Sequence, residues 1–99
     1  MTYTLETTKT FDDWLKSLKD RRAKSNIELR MYRATNGNLG DHRSVGEGIS
    51  EMRIHVGAGY RLYYTQRGGQ IIFLLVGGDK SSQQSDIATA KKLKKELHP

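Results

Sequence analysis

Residues 48–65 read GISEMRIHVGAGYRLYYT, and this stretch decides the fold. Side chains on a strand point alternately to opposite faces. Met52, Ile54 and Val56 therefore share one side, and Glu51, Arg53 and His55 the other. In the following run Tyr60, Leu62 and Tyr64 oppose Arg61, Tyr63 and Thr65. The two apolar sets must meet on the core side, because a one-residue slip would turn one of them to solvent. Pairing Val56 with Tyr60 satisfies this through a three-residue loop, Gly57-Ala58-Gly59, whose last glycine suits the bulge such loops use. In that register His55 faces Arg61, Arg53 faces Tyr63 and Glu51 faces Thr65. Opposed Cβ atoms lie about 4.5–5.5 Å apart, so the pairing predicts one patch holding two arginines, a histidine and a tyrosine.

The surrounding chain extends this hairpin. Gln70–Val76 is a continuous apolar run of strand length, as expected of a strand buried on both faces. Arg67-Gly68-Gly69 is a hairpin connection, so Ile49–Val56, Tyr60–Gln66 and Gln70–Val76 form an antiparallel meander. Gly77-Gly78-Asp79-Lys80 reads as a turn that brings Lys80 to the same end of the sheet as the patch. Ser82–Leu97 is helical, with Ile87, Ala90, Leu93 and Leu97 apolar and Lys91, Lys92, Lys94 and Lys95 on the solvent side.

Upstream, Leu39–Gly48 is a polar, glycine-bearing loop with a short extended piece near His42–Val45. Before it come two helical patterns. Phe11, Trp14, Leu15 and Leu18 follow i, i+3, i+4, i+7 spacing, with Thr10 as cap and Asp12 and Asp13 at the positive end of the dipole. Arg21–Ala34 carries an apolar stripe of Ala23, Ile27, Met31 and Ala34 on an otherwise basic helix, ended by Asn36-Gly37-Asn38. Thr2–Glu6 alternates as a short strand. The order β-α-α-β-β-β-α gives an α+β class. A small antiparallel sheet, the N-terminal strand plus the meander, is packed by an N-terminal helical hairpin, with a C-terminal helix beside it. Residues 1–99 form a single domain.

Composition narrows the function. Seventeen lysines and arginines against eleven aspartates and glutamates leave a net charge of +6, and the pI is near 9.7. This points to a polyanionic partner, nucleic acid first, or simply to a solvated surface. The absence of cysteine excludes disulfides, thiol nucleophiles and cysteine metal sites. The histidines at 42, 55 and 98 are scattered, so no metal and no cofactor is expected. No apolar run approaches a membrane span and no hydrophobic signal region follows Met1, which makes a cytoplasmic location the default and a membrane partner unexpected.

Two cations beside a histidine can hold a phosphate, stabilise charge developing on it and move a proton. Tyr63 could stack on a base or pack under the last helix. Arg53 and Arg61 could instead be ordinary solvent-facing side chains, with Arg53 paired to Glu51 or Glu47. Lys91, Lys94 and Lys95 are either a solvated helix face or a contact for RNA.

Several segments in order also resemble a known family. They are Gly37-Asn38-Leu39-Gly40-Asp41, Val45-Gly46-Glu47-Gly48-Ile49-Ser50-Glu51-Met52-Arg53-Ile54, Gly57-Ala58-Gly59-Tyr60-Arg61-Leu62-Tyr63-Tyr64 and Leu74-Leu75-Val76-Gly77-Gly78-Asp79-Lys80-Ser81-Ser82-Gln83. With Phe11-Asp12-Asp13-Trp14-Leu15 and Asp86-Ile87, they resemble the HigB-type branch of the RelE/ParE toxin superfamily across nearly the whole chain. The resemblance implies a type II toxin neutralised by a neighbouring antitoxin, often of helix-turn-helix type. RelE-like members cleave mRNA in the ribosomal A site, whereas ParE-like members inhibit DNA gyrase. It assigns phosphate-stabilising roles to Arg61, Arg53 and Lys80, and leaves His55 as the resident proton-transfer candidate. Two positions depart from RelE: Glu51 stands where a basic residue is expected, and Asp86 where a tyrosine is. A non-catalytic gyrase inhibitor, a nucleic-acid-binding module and an inactive relative retained for complex formation are the competing expectations.

Overall fold

A side chain cannot fit between Trp14 and the backbone of Gly77, and this close approach locks the first helix onto the sheet. The computed structural model describes residues 2–97. Its elements are β1 (Thr4–Thr7), α1 (Lys9–Ser17), α2 (Arg21–Thr35), β2 (His42–Gly46), β3 (Ile49–Ile54), β4 (Tyr60–Arg67), β5 (Ile71–Gly78) and α3 (Gln83–Leu97), with a 3-10 turn at Lys80–Ser82 before α3. His98 lies outside the described residues. Thr8, rather than Thr10, caps α1. Its Oγ1 accepts from the Phe11 amide at 3.0 Å and donates to the Leu75 carbonyl at 2.6 Å.

The sheet has five strands in the order β1-β5-β4-β3-β2. The expected meander is present and antiparallel. β1 joins it in parallel along β5, far from it in sequence, with α1, α2 and three strands between them. The extended piece at His42 is a full edge strand, antiparallel to β3.

The helical hairpin covers one sheet face. Phe11, Ala23, Ile27 and Ala34 pack there on Met52, Ile54, Tyr60, Leu62, Tyr64, Ile72 and Leu74, all buried. α3 covers part of the other face, where Ala90 packs with Ile49, Tyr63, Leu75 and Val76. β5 is thus enclosed from both sides, as its unbroken apolar run requires. Gly77 and Gly78 continue β5 instead of turning. A Cβ at Gly77 would collide with the Trp14 ring, which also lies 5.7 Å from Phe11 and 6.3 Å from Tyr60 by ring centroids. Among the described residues no helix is long and apolar enough to cross a membrane.

The β3–β4 register differs from the sequence expectation by two residues. Ile54, not Val56, pairs with Tyr60, and the loop runs from His55 to Gly59. A two-residue slip keeps every side chain on its face, so the alternation argument cannot distinguish the two registers. The longer loop is accommodated by Gly57 and Gly59 at φ 55° and 76°. Arg53 therefore opposes Arg61, and Glu51 opposes Tyr63.

Interiors this closely packed tolerate extra atoms poorly. Gly77→Ala is expected to lower the unfolding free energy in urea by about 1–3 kcal/mol, and by less in a chain where Trp14 is already leucine.

Candidate phosphate-binding cleft

The face opposite the helical hairpin ends in an open cleft of about 410 Å³. It is lined by Arg53, His55, Arg61 and Lys80 together with the loop Gly57-Ala58-Gly59. All four residues assigned to the chemistry by sequence thus share one recess. Lys80 is brought there because the turn after β5 packs on the β3–β4 loop. Its amide donates to the Ala58 carbonyl at 3.4 Å, and its Cβ lies close to Gly59.

At the rim of the cleft Arg53 and His55 share one carboxylate. Arg53 Nη2 donates to Asp41 Oδ1 at 2.9 Å, and His55 Nε2 donates to Asp41 Oδ2 at 2.6 Å. A carboxylate can only accept here, so Nε2 carries the proton and Nδ1 is left free for a ligand. His55 is 73% exposed and lies against Asp41, not against Arg61 as the expected register had it. Arg61 is only 13% exposed. Its Nε lies 3.4 Å from Glu51 Oε2, and its Nη1 donates to the Gly59 carbonyl at 3.4 Å. Like charges directly opposed on a sheet repel. The Arg53–Arg61 pair is tolerated because each guanidinium has its own acidic neighbour.

Arg30, which the sequence placed on the basic face of α2, is half-buried and supports this end of the sheet. Its Nη1 donates to the Arg53 carbonyl at 2.7 Å, and its Nη2 to the carbonyls of Leu39 at 2.9 Å and Asp41 at 3.2 Å. Asp41 was missed as a site residue. It joins Arg53 because β2 pairs with β3, His42 opposite Met52, so the residue before β2 reaches Arg53. Reading residues 42–46 as a strand paired through the Glu47-Gly48 turn would have exposed this contact.

Tyr63, expected on the RNA face, is fully buried beneath α3. It cannot stack on a base from there, because it is enclosed in a cluster with Ile49, Leu75, Val76 and Ala90. Burial, and secondarily Glu51, push its phenol up to about 12. Lys91, Lys94 and Lys95 line a separate groove of about 560 Å³ with Glu47, Gly48, Thr65 and Gln66. Arg61 and Thr65 are four residues apart on one strand, roughly 13 Å, so the two recesses sit at opposite ends of the same face. Lys91 Nζ lies 3.2 Å from Glu47 Oε2, and Lys94 Nζ donates to the Glu47 carbonyl at 2.9 Å. Asp86 is half-buried over Gly78, the residue opposite Arg61, and accepts from Ser82 Oγ. Burial, with Asp79 adding to it and the Ser82 hydrogen bond opposing it, raises its carboxyl from the ordinary value. Among the described residues no group of three or more histidine or carboxylate side chains is placed to hold a metal ion.

The hydrogen bonds from Arg53 and then His55 hold the Asp41 carboxyl at about 2, against an ordinary value of 3.8. A carboxyl depressed in the folded state stabilises it above the unfolded value, and the contribution fades as pH falls through the folded one. The tether on Arg53 and His55 is therefore complete at neutral pH and is lost between 3.8 and about 2. Carboxyl-carbon NMR should show Asp41 titrating near the lower value, and returning toward 3.8 in Arg53→Ala.

The fold can be compared with solved structures. A double arginine-to-alanine mutant of the Escherichia coli toxin RelE in the free state superposes with a TM-score of 0.75 at 15% identity, covering 93% of this chain and 97% of that one. YafQ from E. coli gives 0.61 at 16% identity, covering 82% and 97%. The E. coli RelBE toxin–antitoxin complex gives 0.60 at 14%, covering 78% and 95%. The architecture is accordingly the RelE-like one. An uncharacterized protein of Haemophilus influenzae is 50% identical over 97 residues, 98% of each chain. The model of the family described as phage derived protein Gp49-like matches residues 13–97, a span that contains every residue lining the cleft. The chain belongs to that Gp49-like family.

Proposed function

We propose that the protein is a toxin of a type II toxin–antitoxin module, of the HigB-type branch, that cleaves mRNA on the ribosome. The observation that carries this reading is the convergence of Arg53, Arg61, Lys80 and His55 on one cleft of a RelE-like fold. Three cations around an open recess suit a phosphodiester, whose charge grows in the transition state. The substrate supplies its own nucleophile, the RNA 2′-hydroxyl. Its oxygen bonds to the adjacent phosphorus, the bond to the 5′-oxygen breaks, and a 2′,3′-cyclic phosphate and a 5′-hydroxyl result.

Arg61 and Lys80 hold the non-bridging oxygens. Arg53 adds charge at the rim while Asp41 fixes its position. His55, with Nε2 on Asp41, presents Nδ1 to take the 2′-proton, an arrangement in which a carboxylate orients an imidazole. Asp86, half-buried across β5 from Arg61, is the second group able to carry a proton. So sparse a site needs its substrate held in place, and the ribosome supplies that positioning. The lysine groove at Lys91, Lys94 and Lys95 contacts the RNA backbone away from the cut. A co-encoded antitoxin of helix-turn-helix type is the expected cytoplasmic partner; E. coli RelE, similar in fold, is solved in a complex with an antitoxin.

Induction should arrest growth and create new in-frame 5′ ends within coding sequences, and co-expression of the neighbouring antitoxin should relieve both. Arg61→Ala should lower the cleavage rate by about 10²–10³-fold. Arrest without new ends, undiminished in Arg61→Ala, would sink the ribonuclease reading. Inhibition of supercoiling by purified gyrase would replace it with the ParE-like one. Independently, Lys94→Ala and Lys95→Ala should each reduce the logarithmic salt dependence of RNA binding by about 0.7.

A further inference from the structure

Glu51 sits at the centre of β3, on the face that α3 covers, and its side chain is fully buried. A carboxylate survives in such a place only when paired. One oxygen is hydrogen-bonded to an arginine, and the other meets a second arginine in an ionic contact without a hydrogen bond. Oε1 accepts from Arg43 Nε at 2.7 Å, and Oε2 lies 3.4 Å from Arg61 Nε. Arg43 approaches from the edge strand β2, directly opposite Glu51, whereas Arg61 is diagonal to it on β4. The Tyr63 hydroxyl, opposite Glu51 on the other side, has no hydrogen-bond partner and does not compete for the carboxylate.

Along its inner edge Arg61 meets one carboxylate, without a hydrogen bond, and one carbonyl. Nε faces Glu51, Nη1 reaches the Gly59 carbonyl, and the side chain lines the cleft beside Lys80. Arg53 stands directly opposite and repels it. Without a carboxylate behind it, the Arg61 guanidinium would be pushed from the sheet and would lose its fixed orientation toward the cleft.

We propose that Glu51 is a positioning residue that holds the Arg61 guanidinium in its phosphate-binding orientation and offsets its charge against Arg53. The proposal rests on the reading of the cleft as a phosphodiester-cleaving site. It converts the position where the chain departs from the RelE pattern into a support for the site, acting only through Arg61.

The test compares the wild type with Glu51→Gln, Arg61→Ala and the double variant. Glutamine keeps the size and an acceptor oxygen and removes the charge. Single-turnover cleavage of ribosome-bound mRNA at saturating toxin should fall about 10- to 100-fold in E51Q, with the half-saturating toxin concentration changing much less. On the Arg61→Ala background the same change should add less than about twofold, because coupled residues are not additive. E51Q cleaving within about twofold of the wild type, or an equal loss on both backgrounds, overturns the proposal. Thermal melting of the same four proteins tests the pairing without any cleavage. The shift in Tm caused by E51Q should be larger when Arg61 is present than when it is alanine, and equal shifts overturn the proposal. A wild type that does not cleave removes the ribonuclease reading and leaves the melting cycle to decide on the pairing. If E51Q does not fold, Glu51→Asp, charged but one methylene shorter, should cleave more slowly than the wild type. Wild-type cleavage by E51D would overturn the proposal.

Discussion

The pairing of Met52 with Leu62 and Ile54 with Tyr60, all turned toward the helical hairpin, is the constraint on which the rest of the molecule depends. Once these side chains are committed to the core, alternation sends Glu51, Arg53, Arg61 and Tyr63 to the opposite face. α3 then covers only part of that face. The part beneath Ala90 becomes a second core holding Tyr63 and Ile49. The part beyond it, where the strands meet the His55–Gly59 loop and Lys80, stays open as the cleft. Position along the strand, rather than residue type, decides which members of one face are packing and which are available to a ligand.

Charge follows the same geography. Exposed pairs such as Lys91 with Glu47 contribute about 0–1 kcal/mol. Removing a partner from a buried ion pair costs about 3–5 kcal/mol. Glu51 is the described carboxylate that is fully buried, hydrogen-bonded to Arg43 and in ionic contact with Arg61. Asp41 acts at the rim and organises Arg53 and His55 without burial. On this face Arg43, Arg53, Arg61 and Lys91 each have a specific acidic neighbour. Lys80, for which no ion pair occurs among the described residues, remains the freest charge at the cleft.

Much of this was legible in the residues. The alternation in residues 48–65 placed Arg53, Arg61 and His55 at one end of the sheet, and the unbroken run at residues 71–76 identified a strand enclosed on both faces. The register was not legible, because face parity survives a shift of two residues. The edge strand at His42–Gly46 was legible only as a short extended piece in a loop, and its pairing with β3 was not, since its only partly buried member is Val45 and it carries no apolar alternation. Asp41 was hidden with it. Tyr63 was ambiguous for a related reason: a tyrosine on a solvent-side face becomes core only if a later helix crosses it, which is a tertiary fact. Gly77-Gly78 read as a turn because glycine pairs usually are. Here they mark the places where Trp14 and Asp86 press on a strand.

Chemistry at the cleft is tested most directly on purified ribosomes carrying an mRNA with a single 2′-deoxynucleotide on the 5′ side of the mapped cut. If the 2′-hydroxyl is the nucleophile and Arg61, Arg53 and Lys80 stabilise the phosphate it attacks, the unmodified message yields a 2′,3′-cyclic phosphate and a 5′-hydroxyl. The substituted message then stays intact at that position. Cleavage of the substituted message at the unmodified rate would contradict the account.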